Sequence, residues 1–211
     1  MNNAKNVVEF FVLCNKLKDV IRTGWKNWNV KKERIESVAE HIYGVQMLAI
    51  AMHSEFKYDI DLKKVITMLA VHELEEIVIG DLTLFQISKE EKEKLGHNAV
   101  EDILKNLASK EEIQNLIFEF DERKTPEAKF AYNCDKMECD LQSKIYDEQH
   151  LVDVNNQPNN PAMNDEEVKV LLKSGLSWSQ MWLTFGQKRY NYDENFLKIS
   201  DYAINNKILK D

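Results

Sequence analysis

The chain has 211 residues, with 36 acidic and 28 basic side chains and a formal net charge of −8. An acidic chain without a basic stripe excludes a nucleic-acid polymer or an anionic membrane as partner, although a metal and an arginine together can still make a local positive pocket for a small phosphate. Three cysteines (Cys14, Cys134, Cys139) show no CxxC spacing, which excludes a disulfide framework and suits free thiols in a reducing compartment.

Six glycines and three prolines leave few breaks, so helices are expected nearly throughout. The first helix runs from about Ala4 to Lys18 on an apolar stripe of Val7, Val8, Phe10, Phe11, Leu13 and Leu17. The stretch RTGWKNWNVKKERIES has no clean period and reads as a loop. Ser37 is the N-cap of a helix carrying His41, Ile42, Val45 and Leu48. Asp61 caps a third helix that continues through His72 to Val78 and stops at Gly80. Ser88 with Glu91 makes a capping box for a long helix to about Leu107, and Glu111–Phe120 is a short one. Thr125 before Pro126 opens a helix carrying Cys134, Asp135, Met137 and Leu141. The Asn/Pro segment over 150–164 is a loop, and two or three further helices follow, broken at Gly175 and near Asn191. No strand pattern, repeat or low-complexity tract competes with this reading, nor does any apolar run approach the roughly 20 residues of a membrane span. The N-terminus lacks the pattern of a signal peptide, so a cytoplasmic protein is expected.

The segment VHELEEIVIGDLT sets His72 beside Glu73 and follows them with Glu76 and Asp81. His41 lies on the preceding helix and Asp135 on a later one. Two imidazoles and two carboxylates from three segments can hold one divalent cation, and Glu76 and Asp81 are left over for chemistry or recognition. Taken singly, each piece has a plainer reading: HELEE as a solvated helix face, His41 as a satisfied core residue, Asp81 as a turn residue after Gly80, and Arg34 as a surface partner of Glu33 or Glu36. Glu75 reads as solvated, His97 as surface or structural, and Cys134 as packing behind Asp135.

Taken together, three ordered blocks resemble the HD-domain metal-dependent phosphohydrolases, and within them the 5′-deoxynucleotidase branch. The blocks are Arg34–His41 (RIESVAEH), His72-Glu73-x-x-Glu76 with Gly80-Asp81, and Ala128-Lys129-Phe130 leading to Asp135-Lys136-Met137-Glu138. The resemblance implies an all-α, HD-like bundle of about eight or nine helices forming one domain over 1–211, with a core of about residues 23–150 and C-terminal helices over 164–211. It also implies His41, His72, Glu73 and Asp135 as ligands of one divalent ion. That donor set suits Mn²⁺, Co²⁺, Fe²⁺ or Zn²⁺ better than Mg²⁺. Glu76 would position water or pass a proton, Arg34 would clamp the phosphate, and Asp81 would meet the sugar 3′-hydroxyl. Trp25 lies near the place where the family sets a tryptophan by the substrate. The implied reaction is hydrolysis of deoxyribonucleoside 5′-monophosphates to nucleoside and phosphate. The alternatives are another small phosphorylated metabolite as substrate, or a metal- or nucleotide-binding regulatory module without turnover. The resembling enzymes are often dimers, and the C-terminal aromatics offer an apolar surface for a homodimer. One residue departs from the pattern: the doublet that names the family is His-Asp, and here it is His72-Glu73, which keeps the oxygen donors and adds a methylene.

Overall fold

The cap residues start helices where the sequence sets them. Ser37 Oγ accepts the Glu40 N–H while the Glu40 carboxylate accepts the Ser37 N–H at 2.9 Å, and Ser88 and Glu91 repeat the arrangement. Asp61 accepts from the Lys64 N–H at 3.1 Å, and Thr125 Oγ1 accepts from the Ala128 N–H at 3.2 Å. Each bond satisfies a donor that a helix leaves unpaired in its first turn.

The computed structural model describes residues 3–83 and 86–210. The helices are α1 (Asn3–Cys14), followed by a 3-10 turn (Asn15–Lys18), α2 (Thr23–Asn27), α3 (Val38–Phe56), α4 (Leu62–Val71), α5 (Glu76–Ile79), α6 (Lys89–Leu104), α7 (Lys110–Glu122) and α8 (Pro126–Glu148). A second 3-10 turn (Pro161–Asn164) precedes α9 (Glu166–Lys173), α10 (Trp178–Gln187) and α11 (Glu194–Asn205). Among the described residues there is no strand, only an isolated antiparallel bridge between Ile21 and Ser37, and no helix is long and apolar enough to cross a membrane.

Two expectations change. The stretch expected as a loop after the first helix contains α2. The single helix expected from Asp61 to Gly80 ends at Val71 and resumes as the short α5. Between them, Leu74, Glu76 and Ile77 donate to the carbonyls of Val71, Glu73 and Leu74, which are three-residue rather than four-residue steps. These two short pieces account for the helices beyond the eight or nine expected.

The chain divides into two compact units, one of residues 1–23 and 36–131, the other of residues 24–35 and 132–211. In the first, Leu17, Val38, Ile42, Leu74, Val100, Leu104 and Ile117 form one buried cluster. The pairing of residues 20–22 with 36–38 ties the segment before α2 to the start of α3: Arg22 N–H donates to the Glu36 carbonyl at 3.0 Å and Val38 N–H to the Val20 carbonyl at 2.8 Å.

In the second unit, Trp25, Trp28, Tyr146 and Trp178 form an aromatic core with Met181 and Val168. Beside it, buried Asp140 accepts from Arg189 Nη2 at 3.0 Å and from the Tyr190 hydroxyl. Burial, opposed by the Arg189 charge, pushes its carboxyl up to about 6. Gly186 makes this arrangement possible, since a Cβ there would sit 1.8 Å from Asp140 Oδ2. Glycine to alanine inside a helix ordinarily stabilises by about 0.5–1 kcal/mol. Gly186→Ala is expected to do the reverse and cost about 1–3 kcal/mol, because both Asp140 oxygens are tied and the short side chain has nowhere to turn. A urea midpoint equal to or above wild type would show that Asp140 is loosely held.

Candidate metal centre

His41 enters through the start of α3. The Ser37–Glu40 capping box fixes the first turn, and His41 N–H closes the first helical bond onto the Ser37 carbonyl at 3.0 Å. Its side chain is fully buried. His72 enters through the end of α4, where it is the C-cap residue. Its Nδ1 lies 2.8 Å from the Leu69 carbonyl oxygen. A carbonyl only accepts, so Nδ1 carries the proton and Nε2 carries the lone pair. This is how a metal-ligating histidine is commonly oriented.

The two imidazole rings are 5.9 Å apart, and the His72 ring packs 4.9 Å from Phe120. Glu73 Oε1 lies 3.6 Å from His72 Nε2. His41, His72 and Glu73 each offer a ligand atom, and these atoms lie within 4.8 Å of one another. Metal–ligand bonds of about 2.1 Å in a tetrahedral arrangement set neighbouring ligands about 3.4 Å apart, so side-chain shifts of about an ångström bring these donors onto one cation. The residues therefore fit a divalent ion of the borderline class, and the extra methylene of Glu73 does not take its carboxylate out of reach.

Around this trio the first unit gathers more charge than its size suggests. Glu76 opens α5 with its side chain inaccessible to solvent, and Lys92 Nζ lies 3.1 Å from its Oε1. Oε2 is buried and has no hydrogen-bond partner among the described residues. Burial first, then the nearby Glu73 and Asp81 charges, hold the Glu76 carboxyl well above its ordinary range. Glu75, expected to be solvated, is packed against Gly96 of α6 with its Oε2 buried, and burial together with Glu73 pushes it up to about 8. Burial opposes the Lys92 charge, but the Glu73, Glu76 and Glu75 carboxylates outweigh it and hold the ammonium above its ordinary range.

Asp81 follows Gly80, whose φ of 73° turns the chain out of α5. It accepts the Thr23 N–H at 2.6 Å, and its other oxygen lies 3.9 Å from Arg22 Nη1. The same Arg22 nitrogen is 3.8 Å from Glu73 Oε1. The first unit thus brings together His41, His72, Glu73, Glu76 and Asp81. It adds Arg22 and Lys92, which the sequence reading passed over.

The remaining expected site residues lie in the second unit. Asp135 is buried on α8 with Lys136 Nζ 2.8 Å from its Oδ2. Arg34 is exposed in the segment before α3. Trp25 is a core residue: it is 2% exposed, and its ring centroid lies 5.4 Å from that of Tyr146 and 5.3 Å from that of Trp182. Cys134 is fully buried, which raises its thiol far from the reactive thiolate form. His97 pairs with Asp121 at 2.9 Å, a structural role.

An all-helical frame carrying a histidine pair with an adjacent carboxylate defines a class of metal-dependent protein, and the sequence profile of the HD domain matches residues 14–169. The chain belongs to the HD domain family. It is 39% identical over 152 residues to the 5′-deoxynucleotidase HDDC2 of Dictyostelium discoideum, covering 68% of this chain and 79% of that protein. It is 32% identical over 156 residues to the 5′-deoxynucleotidase hdd1 of Schizosaccharomyces pombe, covering 70% and 76%. A predicted metal-dependent phosphohydrolase from Magnetospirillum magnetotacticum superposes with a TM-score of 0.66 over 96% of this chain and 91% of that one; at 18% identity this is a likeness of fold.

A cation that binds only the folded chain stabilises it by about 2.7 kcal/mol at a hundred times its dissociation constant. For a chain of this length that is a rise of about 5–10 °C in unfolding temperature. Mn²⁺ or Co²⁺ added to chelator-treated protein is expected to produce that rise, and His72→Ala to remove it. An equal shift in His72→Ala, read by differential scanning fluorimetry, would place the cation elsewhere.

Proposed function

We propose that this protein is a divalent-metal-dependent phosphohydrolase that converts deoxyribonucleoside 5′-monophosphates to deoxynucleosides and phosphate. One observation carries the reading: His41, His72 and Glu73 offer ligand atoms within 4.8 Å of one another, with the inaccessible Glu76 carboxylate one turn beyond. The activity named for the Dictyostelium and fission-yeast relatives supports the choice of substrate. Asp135 is the fourth ligand in this reading, on the strength of its place in the family's order of motifs and its burial on α8.

A divalent cation in such a site supplies Lewis acidity and counter-charge for a phosphate ester. The protein's own groups do the rest. Water attacks phosphorus, the bond to the 5′-oxygen breaks, and a proton must reach that oxygen. Glu76 orients the water and carries the proton through Oε2. Arg22, which lies between Glu73 and Asp81, clamps the phosphate through its planar fork. Arg34 is the second candidate for that duty, from the family likeness. Asp81 meets the 3′-hydroxyl with the oxygen that does not accept from Thr23.

Cobalt- or manganese-loaded protein is expected to release phosphate from dNMPs at least about tenfold faster, in kcat/KM, than from the ribonucleotides, the range within which a pocket turns away one added hydroxyl, here the ribose 2′-hydroxyl. Glu76→Gln should lower kcat by about 10²-fold or more. His41→Ala and Asp135→Ala should each lose bound metal by elemental analysis. Of Arg22→Ala and Arg34→Ala, the one that raises KM identifies the clamp. Equal rates on both sugar series would remove the deoxyribose preference from this reading, and full metal occupancy in Asp135→Ala would remove that residue from the ligand set.

A further inference from the structure

We propose that Lys92 is the positioning residue for Glu76: it holds one carboxylate oxygen so that the other is the one presented to the reacting water. The inference rests on the role given to Glu76 above and adds a residue on a different helix to it.

The placement of Lys92 follows from the packing of α6. At Gly96 that helix comes so close to the turn between α4 and α5 that a Cβ would lie 3.1 Å from Glu75 Cγ. Lys92 stands four residues earlier, on the same face of the helix, so the close approach at Gly96 aims Lys92 at the next residue, Glu76. The Ser88–Glu91 capping box fixes the first turn of α6 and with it the point from which Lys92 reaches. Its ammonium lies 3.1 Å from Glu76 Oε1, and its side chain is only a quarter exposed. Glu76 Oε2 has no hydrogen-bond partner among the described residues. One oxygen is therefore held and the other is available.

Electrostatics calls for such a residue. Glu73 and Asp81 face Glu76 with like charge. Arg22 lies against Glu73 and Asp81, 3.8 and 3.9 Å away, so it steadies that side of the cluster. Arg22 also attracts Glu76 from farther off, but Lys92 is the cation in direct contact with it, 3.1 Å from Oε1. Without it, a carboxylate repelled by its neighbours would turn away from the position its chemistry needs, and misplacements of this kind cost rate rather than substrate affinity.

The test uses Lys92→Met, Lys92→Arg, Glu76→Gln and the Lys92→Met/Glu76→Gln pair in the full chain. With cobalt-loaded protein and dAMP, Lys92→Met should lower kcat about 10–100-fold and leave KM within about threefold. Lys92→Arg should recover most of the loss, and the double variant should be no slower than Glu76→Gln within about threefold. A raised KM with kcat intact would make Lys92 a phosphate contact and overturn the proposal, as would full activity in Lys92→Met. A second measurement needs neither metal nor substrate. In urea, Lys92→Met should lower the unfolding midpoint, and adding Glu76→Gln should raise it again, because a buried carboxylate stripped of its ammonium is worse than losing both charges. Additive lowering would overturn the pairing. If wild-type protein hydrolyses no dNMP, the functional reading fails, and the urea cycle still decides whether Lys92 holds Glu76.

Discussion

The site depends on how α4 ends. A helix leaves its last carbonyls without backbone partners, and in a regular continuation the Leu69 carbonyl would be reserved for the Glu73 N–H. In this chain the His72 ring donates to it from Nδ1 at 2.8 Å. That bond occupies a carbonyl at the helix end, stops the ring from rotating, and leaves the lone pair on Nε2. The tighter three-residue steps that follow change where Glu73 points. On an unbroken helix the doublet would diverge by about 100°; through this turn Glu73 Oε1 comes 3.6 Å from His72 Nε2. The break in the helix and the approach of the His72 and Glu73 donor atoms are the same feature.

That turn has an electrostatic consequence. It crowds Glu73, Glu75 and Glu76 together, with Asp81 a further neighbour of Glu76, in surroundings that burial makes unfavourable for charge. The chain answers with two cations from different elements: Arg22, set by the pairing of residues 20–22 with 36–38, and Lys92, set by the packing of α6 at Gly96. Burial is the first cause that raises the Glu75 and Glu76 carboxyls, and the Glu73 charge is the next. A divalent cation is the remaining counter-charge such a cluster calls for.

Local signals in the sequence were enough to place most of this frame. Ser37, Asp61, Ser88 and Thr125 are caps whose effect is confined to one turn, so they read correctly without any tertiary knowledge. The ordered motif was enough to bring His41, His72 and Glu73 into one reading. What escaped depends on contacts distant in sequence. Arg22 joins the site only because residues 20–22 pair with 36–38, and Lys92 only because α6 lies against the Glu75 turn. The split between α4 and α5 escaped because the apolar period of MLAVHELEEIVI suits an unbroken helix, and it is tertiary packing that favours the tighter turn. Trp25 entered the reading through the family likeness alone; what its local sequence does not show is the packing of three aromatic rings from α8 and α10 around it.

Glutamate in place of aspartate at position 73 can be weighed on the same physical terms. The donor atoms and charge are unchanged, and Glu73 Oε1 already lies within reach of the imidazole donors. What the added methylene brings is one more torsion to immobilise when a ligand atom is fixed, a loss of about 0.5–1 kcal/mol. That is less than the 1.4 kcal/mol of a tenfold change in affinity, and Arg22 reduces it further by holding the carboxylate beforehand, 3.8 Å away. In the proposed centre the substitution would therefore adjust how tightly an ion is held and leave the set of donor atoms intact.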